Sequence, residues 1–545
     1  MKKQMTLKIV AFILLNLCFL VQVNAHIGSA GIVQEGKAGK YQIQVYVEPP
    51  DVIPGVARVS VSVDGTDIES VKLSPIYYWT GDEGSPKEDE ALPVAGEPGR
   101  YEGNIWLMET GAASVKVRIS GNRGAGETLI PIAALATAKR DLPESLGWIL
   151  GGLALLLVGI MTTIVGASNS DSLLKPGETG GQSFKRRKVV GSTIGLSFCG
   201  LLLFVGNSWW GSISKEYQQN YIYRPYTATT KIKVENARRV LNFQIDSNSV
   251  QGRWTSFLIP DHGKLMHLFL VRQGTLDAFA HLHPSRKDTL TFEAPLPDLP
   301  AGKYLVYADI LRFHGLQYTI ADTVEIPALR VAQESFEKQN SDTDDTYVIN
   351  NPLNRKTPGV ADAGISICGS PGVKTVLKDG TSIIWEEKPG QVLRAGQVNN
   401  LNFAVISPDG KPAELQTYLG MMGHAVVLKD DGSVYIHLHP NGTFSSTAQQ
   451  VMEKRVSENT NPGYRVTSAR QFRDSVDNLL LNLQAMPETQ RDRLLMGGMT
   501  HNMSSHHGGS VNFPYVFPTP GNYRIWLQVK RNGKIITGAF DAKVI

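Results

Sequence analysis

Apolar residues recur at every second position in several runs: Tyr41, Ile43, Val45 and Val47; then Val59, Val61 and Val63; then Val115, Val117 and Ile119. Alternate side chains of a strand share a face, so each run predicts a strand with one buried side. Pro49-Pro50, Pro54-Gly55, Asp64-Gly65 and Gly99-Arg100 punctuate the runs as turns. Short alternating strands separated in this way predict an antiparallel sandwich over residues 26–144. The pattern returns over 225–330, at 265–271 and at 304–311 behind Pro300-Ala301-Gly302, and again over 360–545. Polar, acidic residues 331–359 between them read as a linker. Inside the last segment the period lengthens. Phe472, Val476, Leu479, Leu480 and Leu483 share a helical face, and Ser468 with Gln471 matches a capping box. A helical insertion is therefore expected over 447–509. The fold class predicted is all-β, with three sandwiches and that insertion.

Two stretches show no alternation at all. Residues 146–167 and 189–210 are apolar and free of charge, and about 20 such residues span a bilayer. The intervening loop, 168–188, ends in Lys185-Arg186-Arg187-Lys188, so the positive-inside rule places it in the cytoplasm. Trp148, Trp209 and Trp210 stand at the outer ends of the two spans, where interfacial tryptophans belong. Lys2, Lys3 and Lys8, the apolar stretch 9–20 and Val23-Asn24-Ala25 together read as a signal peptide over 1–25, cleaved after Ala25. The expected localisation is a bacterial inner membrane, with 26–144 and 211–545 outside.

Composition narrows the classes. Of 545 residues, 42% are hydrophobic and 19% charged, which excludes a disordered tail or a coiled coil. Lys plus Arg number 54 against 50 acids, and a net charge of +4 over this length argues against nucleic-acid binding. Three cysteines, Cys18, Cys199 and Cys368, exclude a disulfide framework and a four-cysteine zinc module. The twelve histidines are unevenly spread: His26 stands alone, and the rest lie between His262 and His507.

Two segments of this histidine-rich region repeat one arrangement. His267 is followed by a turn at Gly274 and then His281-Leu282-His283-Pro284. His424 is followed by Asp430-Asp431-Gly432 and then His437-Leu438-His439-Pro440. Each reads as a β-hairpin, Asp-Gly being a strong hairpin turn. His281 and His283 share a face, and either plausible register sets His267 opposite one of them on that face. His424 likewise opposes His437 or His439, and Met422, two residues earlier, joins that face. Three imidazoles on one face suit copper or zinc, and an added thioether favours copper. A hydrogen-bonded structural cluster is the alternative. A further tract, Met496, Met499, His501, Met503, His506 and His507, closes the insertion, and methionine sulfur holds Cu(I) where thiols would oxidise. Cleavage after Ala25 would also free the α-amine of His26, which can chelate Cu(II) with its imidazole.

The residues Ala25-His26-Ile27-Gly28, Gly36-Lys37-Ala38-Gly39-Lys40-Tyr41 and Pro49-Pro50-Asp51-Val52-Ile53-Pro54-Gly55 resemble the immunoglobulin-like domains of periplasmic copper-resistance proteins of the CopC type. The two histidine hairpins resemble small secreted bacterial domains of the YtkA type. These resemblances imply immunoglobulin-like sandwiches and copper handling, and carry no catalytic residue. The reading is a membrane-tethered periplasmic copper-binding protein, not an enzyme, that sequesters copper or passes it to a pump or to an oxidase under assembly. The alternatives are a copper-dependent oxidoreductase using His26, and a metal-free assembly or adhesion subunit of the envelope. The topology is directly testable. A reporter fused after residue 175 is expected to be cytoplasmic and one after residue 230 external. Labelling of Ser183→Cys from outside would contradict it.

Overall fold

The computed structural model describes the chain from His26 to Ile545, apart from residues 28–30, 66, 140–141, 173, 176, 236–237, 329–341, 354–365, 368–369, 372, 378, 387–391, 459–467 and 496–508. Residues 1–25, expected as a signal peptide, with Cys18, and also Cys368 and the Met/His tract from Met496 to His507, therefore lie outside the described residues. The described chain is mostly β, in several largely antiparallel sheets, with two long apolar helices. It divides into two compact units, one of which comprises Pro50–Gly55 and Leu135–Tyr223.

That smaller unit is a helical hairpin. Helix α1 is Glu144–Asp171 and helix α2 is Gln182–Asn220, and both are long and apolar enough to cross a membrane. They contain the two spans expected from sequence. Gly191, Gly195 and Cys199 recur every four residues on the buried face of α2. A Cβ on Gly191 would stand 2.9 Å from the Val165 carbonyl oxygen, so the small residue is what allows the backbones to approach. The remaining faces are apolar and exposed, Leu155 at 76% and Phe204 at 70%. Such a surface is stable only against lipid or protein.

The larger unit begins with an eight-stranded sheet running from Ile32–Ala38 to Gly124–Ala134. Its alternation is as expected: Tyr41, Ile43, Val45 and Val47 are buried while Gln42 and Glu48 are exposed. Behind it stand two similar assemblies. In the first, the sheet order is Leu258–Ile259, Gly302–Arg312, His267–Arg272, Ala278–Leu282, Thr346–Ile349. In the second it is Lys534–Val544, Gly521–Arg531, His424–Lys429, Val434–Leu438, His26–Ile27. Each has an 11-residue strand, Gly302–Arg312 or Gly521–Arg531, paired to the His267 or His424 strand, and a further sheet accompanies each. Trp385, Phe403, Phe513, Ile525 and Phe540 share the buried core of the second assembly.

The insertion supplies three helices: α3 (Ser446–Ser457), α4 (Ala469–Ala485) and α5 (Glu488–Leu495). Ser468 caps α4 by accepting from the Gln471 amide, as its sequence indicated. Phe472 packs edge-on against Phe257 with ring centroids 5.5 Å apart, while Val476 and Leu483 are buried on the same face. The acidic stretch expected as a linker ends in structure: Thr346–Ile349 pairs antiparallel with Ala278–Leu282 at the sheet edge.

Candidate metal centre

Both histidine hairpins form, and their registers are alike. Leu268 pairs with Leu282, which by extension sets His267 opposite His283. Ala425 pairs with Leu438, which sets His424 opposite His439. Each was one of the two registers open from sequence. The hairpins do not remain separate, however. They face one another, and His262, His267, His281, His283, His424, His437 and His439 form one buried cluster, none more than 7% exposed. Neighbouring ring centroids across the hairpins are close: His267 to His437 at 5.4 Å and His281 to His437 at 5.6 Å.

The facing is enforced by aromatic pairs that swap between assemblies. Tyr307 of the first stacks on Tyr435 of the second, with centroids 4.1 Å apart and planes 3° off parallel. Phe279 of the first stacks on Trp526 of the second at 4.9 Å and 16°. These pairs correspond, because Tyr307 and Trp526 each precede by two the residue opposite the leading histidine. Those opposite residues are Asp309, paired to His267, and Gln528, paired to His424. Each reaches across. The Gln528 side-chain oxygen lies 3.0 Å from His281 Nδ1, and Asp309 Oδ2 lies 3.7 Å from His437 Nδ1.

Other partners determine which ring nitrogens carry protons. His267 Nε2 lies 3.1 Å from the Asp261 carbonyl oxygen, which can only accept. Tyr418 donates to the Asp344 carbonyl at 3.0 Å, so its oxygen accepts from His281 Nδ1 at 3.2 Å. His283 Nδ1 is 2.9 Å from Asp345 Oδ1. With those protons assigned, His267 Nδ1 and His281 Nε2 present two lone pairs to each other at 3.1 Å. No proton is left between them. Two bonds of about 2 Å from one tetrahedral metal set their nitrogens about 3.3 Å apart, so this spacing fits a shared cation. Carboxylate and carbonyl partners on the far nitrogen are what metal-binding imidazoles use.

The remaining nitrogens reinforce the fit. His262 Nε2, His283 Nε2, His437 Nε2 and both nitrogens of His424 are buried without a hydrogen-bond partner among the described residues. A buried polar atom left unpaired costs about 1–3 kcal/mol. One nitrogen each from His267, His281 and His283 lie mutually within 4.8 Å, and the same holds for His262, His424 and His439. Buried histidine triads here could therefore hold a metal ion. Burial first, and then the neighbouring imidazoles, hold His267, His281, His424, His437 and His439 well below the usual 6.5, so all five are neutral at pH 7, the form an imidazole needs to bind a metal. Burial also outweighs the hydrogen bonds from Thr319 and Tyr435 and pushes Asp309 up to about 7.

Several participants were not assigned from sequence. His262 occupies a two-residue turn, Asp261 to Lys264, with φ 51°. The second hairpin repeats that turn at Tyr418 to Met421, where Leu419 has φ 52°. Aligning the repeats from His267 and His424 backwards would have exposed the shared His-Gly and Leu-Gly turns. Asp345 comes from the acidic stretch taken as a linker, alongside Asp344, which pairs with buried Lys264 at 2.8 Å. Met422 is only half-buried. The backbone of His26 pairs in register with Val434, three residues before His437.

Residues 374–475 and 496–545 match a family described as "Domain of unknown function (DUF8832)", a match that includes His424, His437 and His439. No curated protein matches the chain. Among solved structures, the chain is similar at 9% identity to a tetra-tandem repeat in the extending region of a large adhesion protein, over 91% of this chain and 71% of that one, at a TM-score of 0.14. It is also similar to dimeric latent PorU from Porphyromonas gingivalis (8% identity, 95% and 34% covered, TM-score 0.13). A third is the native alpha-2-macroglobulin of E. coli (9% identity, 93% and 23% covered, TM-score 0.19). The chain thus spans about a third and a quarter of the latter two. Scores at this level carry no structural argument.

The depressed histidines link stability to pH. Their unfolded value is near 6.5 and their folded values lie lower, so the unfolded chain binds more protons between the two. Stability of the metal-free protein is thus full above about pH 6.5 and falls as pH drops below it, by at most about 1.4 kcal/mol per unit for each histidine. Asp309, raised instead, has the opposite sign between about pH 4 and 7 and offsets one of the five. Replacing His437 and His439 together with Asn should flatten the slope by up to about 3 kcal/mol per unit. Denaturant unfolding at pH 5, 6 and 7 measures it, and parallel slopes for both proteins would contradict the assignment.

Proposed function

We propose that this chain is a copper-holding protein of the bacterial envelope, tethered to the inner membrane by α1 and α2, with its sheets in the periplasm. The observation that carries the reading is the set of imidazole nitrogens without a hydrogen-bond partner among the described residues, inside a buried seven-histidine cluster. A protein folded around such a set stabilises it by placing a cation there. The sheets are read as three immunoglobulin-like sandwiches over 26–144, 225–330 and 360–545, the last two building the centre.

Charge supports copper over zinc. Five of the seven imidazoles are neutral, and the acids beside the cluster are already engaged: Asp345 with the His283 Nδ1, Asp261 with Ser445 and, at 3.5 Å, the His262 Nε2, and Asp344 with the Lys264 ammonium. A monovalent ion buried among neutral ligands leaves half the uncompensated charge of a divalent one, and buried charge is costly. Cu(I) accepts imidazole and thioether alike. The Met/His tract follows directly on Leu495, whose side chain comes within 3.3 Å of where a Cβ on Gly263 would stand, next to His262. Met496, Met499, His501, Met503, His506 and His507 are read as the capture ligands, with Met422 and the amine-bearing His26 as auxiliary ones. Copper would be sequestered, or handed to a pump or to an oxidase under assembly; no turnover chemistry is assigned.

The test replaces His281 and His283 together, or His437 and His439 together, with Asn. Anaerobic Cu(I) titration and metal analysis of the full chain in detergent should show a lower copper content for each pair, with the metal-free fold retained. At a copper concentration 100 times the dissociation constant, a lost ion removes about 2.7 kcal/mol of stability from the loaded protein. Unchanged copper content beside a metal-free protein weakened by about 1–3 kcal/mol per orphaned group would favour a structural histidine network and reject the reading.

A further inference from the structure

We infer that the seven histidines form one centre with two metal loci, contributed unequally by the two repeats. The inference rests on the metal reading above and adds the number and division of the ions. The first locus is His267, His281 and His283; the second is His262, His424 and His439. No residue belongs to both, and the second borrows His262 from the first assembly.

Ligand number argues for two ions. A copper or zinc ion among nitrogen donors takes about four of them. One ion would leave three of seven buried imidazoles without a bond, at the cost of unpaired polar atoms already described. Two ions engage both triads. His437 falls outside each triad but between them: its ring lies 5.4 Å from His267, 5.2 Å from His424 and 4.7 Å from His439. Its Nε2 has no hydrogen-bond partner among the described residues, and its Nδ1 faces Asp309 at 3.7 Å. It is thus the fourth nitrogen that stands within reach of both loci.

The repeat supplies a second, independent argument. The hairpins, the preceding turns, the crossed stacks of Tyr307 on Tyr435 and of Trp526 on Phe279, and the crossed contacts of Gln528 and Asp309 all follow one two-fold plan. A plan that duplicates the ligand-bearing hairpin places a locus on each side. The copies then diverge at one turn position, His262 in the first and Leu419 in the second. That divergence makes the loci different: the first draws only on its own hairpin, whereas the second draws on both assemblies.

The experiment counts copper by difference, which removes any contribution of the Met/His tract or of His26. The full chain in detergent is loaded with Cu(I) under anaerobic conditions against a chromogenic chelator, and bound copper is measured. His283→Asn should lose one equivalent, His439→Asn should lose one, and the two changes together should lose two. After oxidation, the spin intensity per copper of the wild type should fall below that of either single variant, because only the wild type pairs two ions. A combined variant that loses one equivalent would show a single shared ion and overturn the inference while leaving the copper reading intact. No loss in any variant would overturn both. If either change prevents folding of the metal-free chain by circular dichroism, His281→Asn and His262→Asn address the same two loci and must give the same count.

Discussion

The packing of two histidine-bearing hairpins face to face is the constraint on which the rest of the larger unit depends. Imidazoles that would be solvated on an isolated sheet are driven together with water excluded, because the adjoining aromatic pairs of Tyr307 with Tyr435 and Phe279 with Trp526 bury apolar area in one continuous core beside them. Burial then depresses the imidazole pKa values, and neutrality leaves the rings able to act as ligands instead of carrying charge. The same burial leaves nitrogens without partners among the described residues, so the site costs stability unless something occupies it. Hydrophobic packing beside the cluster and unsatisfied polarity within it are therefore two consequences of the same burial.

The surrounding polar groups divide the labour. Asp261, Tyr418 and Asp345 each engage one nitrogen of a ring and so direct the other inward. Lys264 neutralises Asp342 and Asp344 behind them, and Arg491 of α5 approaches Asp344 at 3.7 Å. The helical insertion is thereby connected to the back of the centre: Lys530, from the strand that carries Gln528, pairs with Glu488 at the start of α5. Leu495 at the other end of α5 packs over Gly263 and Gly420, the glycines of the two equivalent turns. Glycine at 420 permits this, since a Cβ there would come within 3.1 Å of Leu495.

Local periodicity made much of this readable in advance. Strand alternation and the α4 face with its cap at Ser468 follow from side-chain periods of two and 3.6, and the two uncharged spans follow from their length and apolar composition, all of which depend on neighbours in sequence. The hairpin registers were narrowed to two choices each for the same reason. What could not be read was the merging of the hairpins, since the Tyr307 and Tyr435 stack joins residues 128 apart through a tertiary contact with no sequence period. The crossed roles of Asp309 and Gln528 depend on that merging. His262 was hidden because a lone histidine at a turn looks like surface, and Asp345 because an acidic run looks like a linker.

The central claim is that the histidine cluster holds metal. Diffraction from crystals of the copper-loaded full chain, recorded at the copper edge, tests it most directly. The account predicts anomalous density inside the cluster, about 2 Å from His267 Nδ1, His281 Nε2 and His283 Nε2. A cluster without anomalous density, its ring nitrogens hydrogen-bonded to ordered waters instead, would contradict it.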